Sequence, residues 1–151
     1  MDKSDLYSRL LKDISRLIED TDDALANYAN TAACIYHTLP DINWSGFYFL
    51  RGEELVLGPF QGRPACVHIP LGKGVCGTAA RQRKTLIVDD VHDFPGHIAC
   101  DPDSRSEIVL PLIKDALLIG VLDIDSPLPH RFDREDASFL EKIAALLMRH
   151  L

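Results

Sequence analysis

The feature that most constrains the fold is a change in apolar period, from helical to extended and back to helical. Apolar residues at helical spacing over 6–17 predict a first helix, and a second helix is predicted from Thr21 to just before Pro40. Short apolar runs separated by glycine, proline and polar residues then predict strands. The chain closes on a predicted amphipathic helix with Asp133 as its N-cap.

The predicted elements run in the order helix, helix, three strands, short helix, strand, long loop, two strands and helix. Turns predicted at Arg51-Gly52 and at 114–116 join neighbouring strands as hairpins, which favours antiparallel pairing. We therefore expect an α+β fold, with a central antiparallel sheet, the terminal helices on one face and a loop-covered ligand pocket on the other. Because no repeat, linker or low-complexity tract interrupts the pattern, residues 1–151 are expected to form a single domain.

Charge and hydropathy exclude several classes of function. The formal net charge is −7 and there is no lysine- or arginine-rich run, so neither nucleic acid nor an anionic membrane is an expected partner. The N-terminal segment carries charges throughout, unlike a signal or transit peptide, and no apolar stretch approaches the ~18 residues that cross a bilayer. We expect a cytoplasmic protein, in which cysteines are normally reduced.

Three of the four cysteines lie in predicted loops or at a helix start: Cys66, Cys76 and Cys100. Each could be a small buried apolar residue, as Cys34 on the Ala-rich second helix is expected to be. Cys100, however, lies beside His97 in a long polar loop, where a lowered pKa would favour the thiolate. Such cysteines are candidates for nucleophilic or redox chemistry.

Zinc binding is the alternative use of these side chains. The candidate ligands are Cys66, His68, Cys76, His92, His97 and Cys100. A structural zinc site normally contains closely spaced pairs, and only His92 and His97 are spaced as one. No close cysteine pair accompanies them, so neither a metal nor another cofactor is expected.

Acidic and aromatic residues form a second constellation on the predicted strands. Asp123 and Asp125 alternate along one strand, so their side chains face the same side, and Glu107 opens the strand expected to pair with it. The carboxyls are either a solvated strand end or an anionic cluster that binds a ligand ammonium group or donates a proton. Trp44 and Tyr48, four residues apart on another strand, are either core or an apolar pocket wall.

Five stretches together carry a specific family resemblance: "NWSGFYF", "CVHIPLGKGVCGTAA", "DVHDFPGHIACD", "SEIVLPL" and "GVLDIDS". With them the sequence resembles the free methionine-(R)-sulfoxide reductases, single GAF domains that reduce the oxidised free amino acid. The resemblance extends from the first helix to the closing "FDREDASFLEKI" helix. Generic GAF domains share the fold but not three cysteines on these loops.

The resemblance implies a redox role for each of the three cysteines. Cys100 is implied as the nucleophile, Cys66 as the main resolving cysteine and Cys76 as an auxiliary resolving thiol. In that cycle a thiolate attacks the sulfoxide sulfur, Cys100 becomes a sulfenic acid, and a second thiol condenses with it to a disulfide. A thioredoxin-type partner is then expected to reduce the disulfide by exchange.

The resemblance also implies how the substrate binds. Glu107, Asp123 and Asp125 match the acidic residues that bind and polarise it, and Trp44 and Tyr48 match the aromatic residues that enclose its methyl end. Backbone amides of the loop and the short helix are expected to hold the carboxylate.

Two positions depart from the family pattern. The predicted hairpin reads "KDALLIG" rather than "KDGKLIG", so the glycine that eases the turn is missing. His68 occupies a position where a larger basic residue is expected, and the sequence assigns it no role.

Two other functions fit parts of the pattern. A non-catalytic GAF sensor would use the same pocket and carboxyl groups, but the cysteines would have no function in it. A thiol redox switch would form the disulfide without sulfoxide selectivity, although the chain contains no recognisable output segment. The amphipathic N-terminal helix could support a homodimer or simply cover the sheet.

Overall fold

The computed structural model describes residues 2–98 and 100–151. Its helices are α1 (Lys3–Glu19), α2 (Ala24–Thr38), α3 (Gly74–Gln82) and α4 (Arg134–Arg149), with a 3₁₀ turn at Val91–Asp93. Its strands are β1 (Trp44–Arg51), β2 (Glu54–Gly62), β3 (His68–Pro70), β4 (Leu86–Val88), β5 (Ser106–Lys114) and β6 (Leu117–Ser126). The predicted element order is confirmed.

The strands form one sheet within the described residues, in the order β3-β2-β1-β6-β5-β4. Every neighbouring pair is antiparallel, as the hairpin signals predict. The central pair β1–β6 joins the two hairpins although its strands lie far apart in sequence. The α+β class is confirmed.

One face of the sheet carries α1, α2 and α4. Apolar side chains from these helices and from alternate positions of β5 and β6, such as Ile108 and Leu122, form a core cluster that is almost wholly excluded from solvent. The capping carboxylate of Asp133 accepts from the amides of Glu135 and Asp136, which fixes the start of α4 as the sequence predicts.

The opposite face carries the short helix α3 and the long loop before β5. A second apolar cluster lies there and includes Trp44, Tyr48, Val109 and Val121. Because side chains alternate along a strand, these residues point away from the core under the helices. The expected division between a helix-covered face and a loop-covered face is confirmed.

The β5–β6 hairpin keeps a two-residue turn without the glycine that such turns favour. Lys114 pairs with Leu117, and the connecting Asp115 and Ala116 have φ values of 51° and 66°. Positive φ at both central residues is the conformation of a type I′ turn, in which alanine is strained. The departure in the sequence therefore leaves the hairpin intact and places an unfavourable residue in it.

Within residues 2–98 and 100–151, no helix combines the length and the apolar character that crossing a bilayer requires.

Candidate active site

A disulfide between Cys66 and Cys100 joins two loops on the face opposite the terminal helices. Cys66 lies in the irregular segment between β2 and β3, and Cys100 lies in the loop between the 3₁₀ turn and β5. Their Cα atoms are 5.6 Å apart, within the range that a disulfide requires. The two cysteines are 34 residues apart in sequence, so the fold brings them together.

Cys100 also lines a pocket of about 560 Å³, part of which is open to solvent. The lining residues come from β1, β3, β5, β6, α3 and both cysteine-bearing loops. Seven of the eight predicted site residues line it: Trp44, Tyr48, Cys76, Cys100, Glu107, Asp123 and Asp125. The eighth, Cys66, meets the pocket through its bond to Cys100.

The sheet register brings three carboxyl groups together at one end of the pocket. Glu107 on β5 is paired with Asp125 on β6, and Asp125 is also paired with Trp44 on β1. Glu107 and Asp123 are only 7% and 5% exposed, and Asp125 is partly exposed. The alternative of a solvated strand end is therefore wrong for Glu107 and Asp123.

Burial and mutual repulsion raise the pKa values of these carboxyl groups. Burial, followed by the charges of Asp123 and Asp125, raises the pKa of Glu107 well above its usual value. Burial also raises the pKa of Asp123. Burial, followed by the charge of Asp123, raises the pKa of Asp125 well above its usual value. The cluster can therefore hold a proton at neutral pH and donate it inside the pocket.

Cys76 belongs to the same cluster. It lies in the first turn of α3, is 4% exposed, and its Sγ donates to Oε2 of Glu107 at 3.8 Å. Burial and the neighbouring carboxylates raise the pKa of this thiol well above its usual value, so it is neutral. The ligand atoms of Cys76, Glu107 and Asp123 lie within 4.8 Å of one another, and they are the residues that could hold a cation here.

Two aromatic rings of β1, those of Trp44 and Tyr48, form one wall of the pocket. The rings of Trp44 and Tyr48 stack with centroids 5.9 Å apart, and Phe60 on β2 stacks on Trp44 with centroids 5.3 Å apart. The interpretation of Trp44 and Tyr48 as pocket residues fits this arrangement. Phe60 was missed because nothing in the sequence distinguishes it from the apolar residues of β2.

The loop that carries Cys100 is anchored near that residue by Asn43. The Asn43 amide donates to Asp101 Oδ2 at 3.3 Å and to Ser104 Oγ at 3.2 Å, and its backbone N–H donates to the carbonyl of Asp125. Asn43 directly precedes Trp44 in "NWSGFYF", and nothing in the sequence distinguishes it from an ordinary polar residue before a strand.

The same loop is closed at its base by an ion pair. Arg105 Nη2 donates to Asp90 Oδ2 at 3.1 Å, and the backbone N–H of Val91 donates to the Arg105 carbonyl at 2.7 Å. Asp90 also accepts from the backbone N–H of His92. Arg105, followed by that amide, lowers the pKa of Asp90 to about 2.

The two predicted histidine positions differ in their surroundings. His97 lines the pocket, and its partial burial lowers its pKa, so the ring is neutral at neutral pH. His68 is exposed on the edge strand β3, and its Nδ1 lies 3.0 Å from Oε1 of Glu54, outside the pocket. His68 therefore contacts Glu54 at the edge of the sheet.

A sulfur pair beside buried carboxyl groups with raised pKa values defines a thiol-dependent oxidoreductase site on an α+β ligand-binding fold. The pattern of the GAF domain matches residues 13–151. The chain is 50% identical to the free methionine-R-sulfoxide reductase of Escherichia coli over 151 residues, which cover all of this chain and 92% of that protein. It is 44% identical to the enzyme of the same name from Saccharomyces cerevisiae, over 97% of this chain and 86% of that protein.

A solved structure agrees with these sequence matches. The free methionine-R-sulfoxide reductase from Neisseria meningitidis, in complex with its substrate, superposes with a TM-score of 0.96 at 45% identity, covering 99% of this chain and 90% of that one. The chain belongs to the GAF domain family and, within it, to the free methionine-R-sulfoxide reductases. The GAF fold and the family resemblance read from the sequence are confirmed.

Proposed function

We propose that this chain reduces free methionine-(R)-sulfoxide to methionine, with Cys100 as the nucleophile and residues 1–151 acting as one catalytic domain. One observation carries the proposal: Cys100, bonded to Cys66, lines the same pocket as the buried Glu107 and Asp123. The name of the Escherichia coli relative states this activity, and the Neisseria meningitidis relative was solved with its substrate.

In the first step the Cys100 sulfur attacks the sulfoxide sulfur. The sulfoxide oxygen is protonated by the carboxyl cluster of Glu107, Asp123 and Asp125, whose raised pKa values supply a proton at neutral pH. The oxygen ends on Cys100 as a sulfenic acid, and methionine leaves. The substrate sulfur is reduced by two electrons and Cys100 is oxidised by two.

The pocket supplies a partner for each end of a free amino acid. Oδ1 of Asp123 is buried and has no hydrogen-bond partner among the described residues, which suits it to a substrate ammonium group. Gly74 and Val75, the first residues of α3, line the pocket, and the backbone N–H groups of a first helical turn lack intrahelical acceptors, which suits a carboxylate. A peptide bond at either end would leave buried polar groups unpaired, which favours the free amino acid as substrate.

In the second step the Cys66 thiol attacks the sulfenic sulfur of Cys100, which forms the disulfide and releases water. A thioredoxin-type dithiol then reduces that disulfide by exchange, and Cys76 acts as an auxiliary resolving thiol. The need for such a donor favours a cytoplasmic location. A homodimer stays a prediction, and the apolar face of α1 does not supply its interface because that face is buried within the chain.

A single-turnover measurement tests the proposal. Fully reduced protein is mixed with L-methionine-(R)-sulfoxide or, separately, with its S epimer, without any reductant, and methionine and thiols are counted. We expect about one methionine per chain from the R epimer alone, two thiols lost, and a mapped Cys66–Cys100 disulfide. Absence of methionine with either epimer, together with saturable ligand binding, would instead identify a GAF sensor.

A further inference from the structure

The segment that carries Cys66 has no secondary structure of its own. Residues 63–67 connect β2 to β3 and form neither helix nor strand. Arg63, Pro64 and Val67 are exposed, so packing alone fixes little of this segment. Besides the disulfide and an exposed ion pair between Arg63 and Asp103, hydrogen bonds from neighbouring elements hold its conformation.

Two aromatic side chains of β1 supply such bonds. Tyr48 Oη donates to the Cys66 carbonyl at 2.9 Å, and Trp44 Nε1 donates to the Arg63 carbonyl at 3.1 Å. Both rings are 2% exposed and are fixed by stacking, so each bond starts from a rigid donor. The two donors thus bind the first and last carbonyls of the stretch 63–66.

The bond at Cys66 is reinforced from the next strand. Leu57 on β2 is paired with Tyr48 on β1, and its backbone N–H donates to the carbonyl of Val67 at 2.9 Å. Two residues paired across the sheet thus hold two consecutive carbonyls, those of Cys66 and Val67. Cys66 is therefore positioned from the rigid sheet rather than from its own loop.

We infer that the Tyr48 hydroxyl, assisted by the Trp44 indole N–H, is a positioning group that presents the Cys66 thiol to the oxidised Cys100. This inference rests on the proposed function and concerns its second step. Disulfide formation requires the Cys66 and Cys100 Cα atoms within roughly 4.4–6.8 Å. Holding the Cys66 backbone near that distance in advance raises the effective concentration of its thiol at the sulfenic acid.

Tyr48→Phe tests the inference because it removes the hydroxyl and keeps the ring that lines the pocket. A rapid-quench single turnover with L-methionine-(R)-sulfoxide measures methionine and the Cys66–Cys100 disulfide separately, and dimedone traps the sulfenic acid. The rate of disulfide formation, divided by that of methionine formation, is expected to fall about threefold to tenfold, as loss of one hydrogen bond implies. Dimedone-labelled Cys100 is expected to rise accordingly.

Tyr28→Phe is the matched control, since the Tyr28 hydroxyl is buried on the other face and has no hydrogen-bond partner among the described residues. Its ratio of the two rates is expected to equal that of the wild type. Pro64→Gly provides a second test that leaves both aromatic rings in place: it frees the segment, and the same fall in the ratio is expected.

The outcomes separate this inference from the proposed function. A wild-type protein that forms no methionine contradicts the proposed function. A wild-type protein that forms methionine, together with a Tyr48→Phe variant whose ratio and sulfenic acid yield are unchanged, contradicts the inference alone. Thermal unfolding of each variant verifies that the comparison is made between folded proteins.

Discussion

The Cys76 thiol and the Glu107 carboxyl face each other inside the pocket, with Sγ 3.8 Å from Oε2. Both groups are buried, and burial raises the pKa of each well above its usual value. A neutral thiol is a poor nucleophile, whereas a neutral carboxylic acid is a proton donor. The same surroundings therefore make Cys76 a slow nucleophile, which suits an auxiliary role, and make Glu107 a proton donor.

Glu107→Gln is expected to lower single-turnover methionine formation at least a hundredfold, because an amide cannot supply the proton. In the wild type, methionine formation is expected to fall at alkaline pH, where the carboxyl cluster finally ionises. Glu54→Gln is the matched control, since Glu54 lies at the exposed edge beside His68. A Glu107→Gln variant with near-normal rates would exclude Glu107 as the donor.

Glu107→Gln is also expected to raise the free energy of unfolding relative to the wild type, by an amount that grows as pH rises. The pKa of Glu107 is raised by folding, so above an unfolded carboxyl pKa of ~4 the native state binds more protons than the unfolded state. Wild-type stability contributed by this group therefore falls as pH rises toward the native pKa. Urea unfolding at pH 5 and pH 8 should show the advantage of Glu107→Gln growing with pH; an advantage that shrinks would contradict the raised pKa.

In the Cys66→Ser variant, the yield of methionine in a single turnover is expected to be unchanged. Its rate of thioredoxin-supported cycling is expected to fall at least tenfold. Cys76 is then the remaining thiol near Cys100, and its raised pKa and its bond to Glu107 make it a slow partner. Dimedone labelling of Cys100 during cycling measures the delay, and Cys34→Ser serves as the control because Cys34 lies on α2, on the other face. Cycling at the wild-type rate would show that Cys76 resolves first.

Asp90→Asn is expected to lower kcat/KM threefold to tenfold. It weakens the ion pair with Arg105 that closes the base of the loop carrying Cys100, while the amide oxygen can still accept from His92. Asp89→Asn is the control, since the Asp89 side chain is exposed and its contact with Nδ1 of His130 is long, at 3.5 Å. Equal activities of the two variants would show that the loop base does not position the nucleophile.

The helices, the hairpins and the two sheet faces could be predicted because each is encoded by local apolar period and turn chemistry. The register of the strand pairs could not be predicted. This register pairs Glu107 with Asp125 and Asp125 with Trp44. Alternation along single strands placed the candidates on one face, while their mutual distances depend on pairing between strands remote in sequence.

The anchors of the two cysteine-bearing segments were beyond sequence reasoning for a related reason. The Tyr48 and Trp44 rings were interpreted as apolar surface, and nothing in the residue pattern shows where a hydroxyl or an indole N–H finds its acceptor. Asn43 likewise resembles an ordinary residue before a strand until the fold places Asp101 beside it. Hydrogen bonds between a side chain and an irregular segment require the tertiary structure.

The strained β5–β6 turn supplies a prediction independent of catalysis. Ala116→Gly is expected to stabilise the protein by about 0.5–1 kcal/mol, because glycine adopts a positive φ without the steric cost that alanine has at 66°. The gain is the relief of that strain less the larger unfolded-state entropy of glycine. Urea unfolding measures it, and Ala26→Gly on the exposed side of α2 is the control, which is expected to destabilise by about 1 kcal/mol. Destabilisation by Ala116→Gly would show that the turn does not hold a positive φ at this residue in solution.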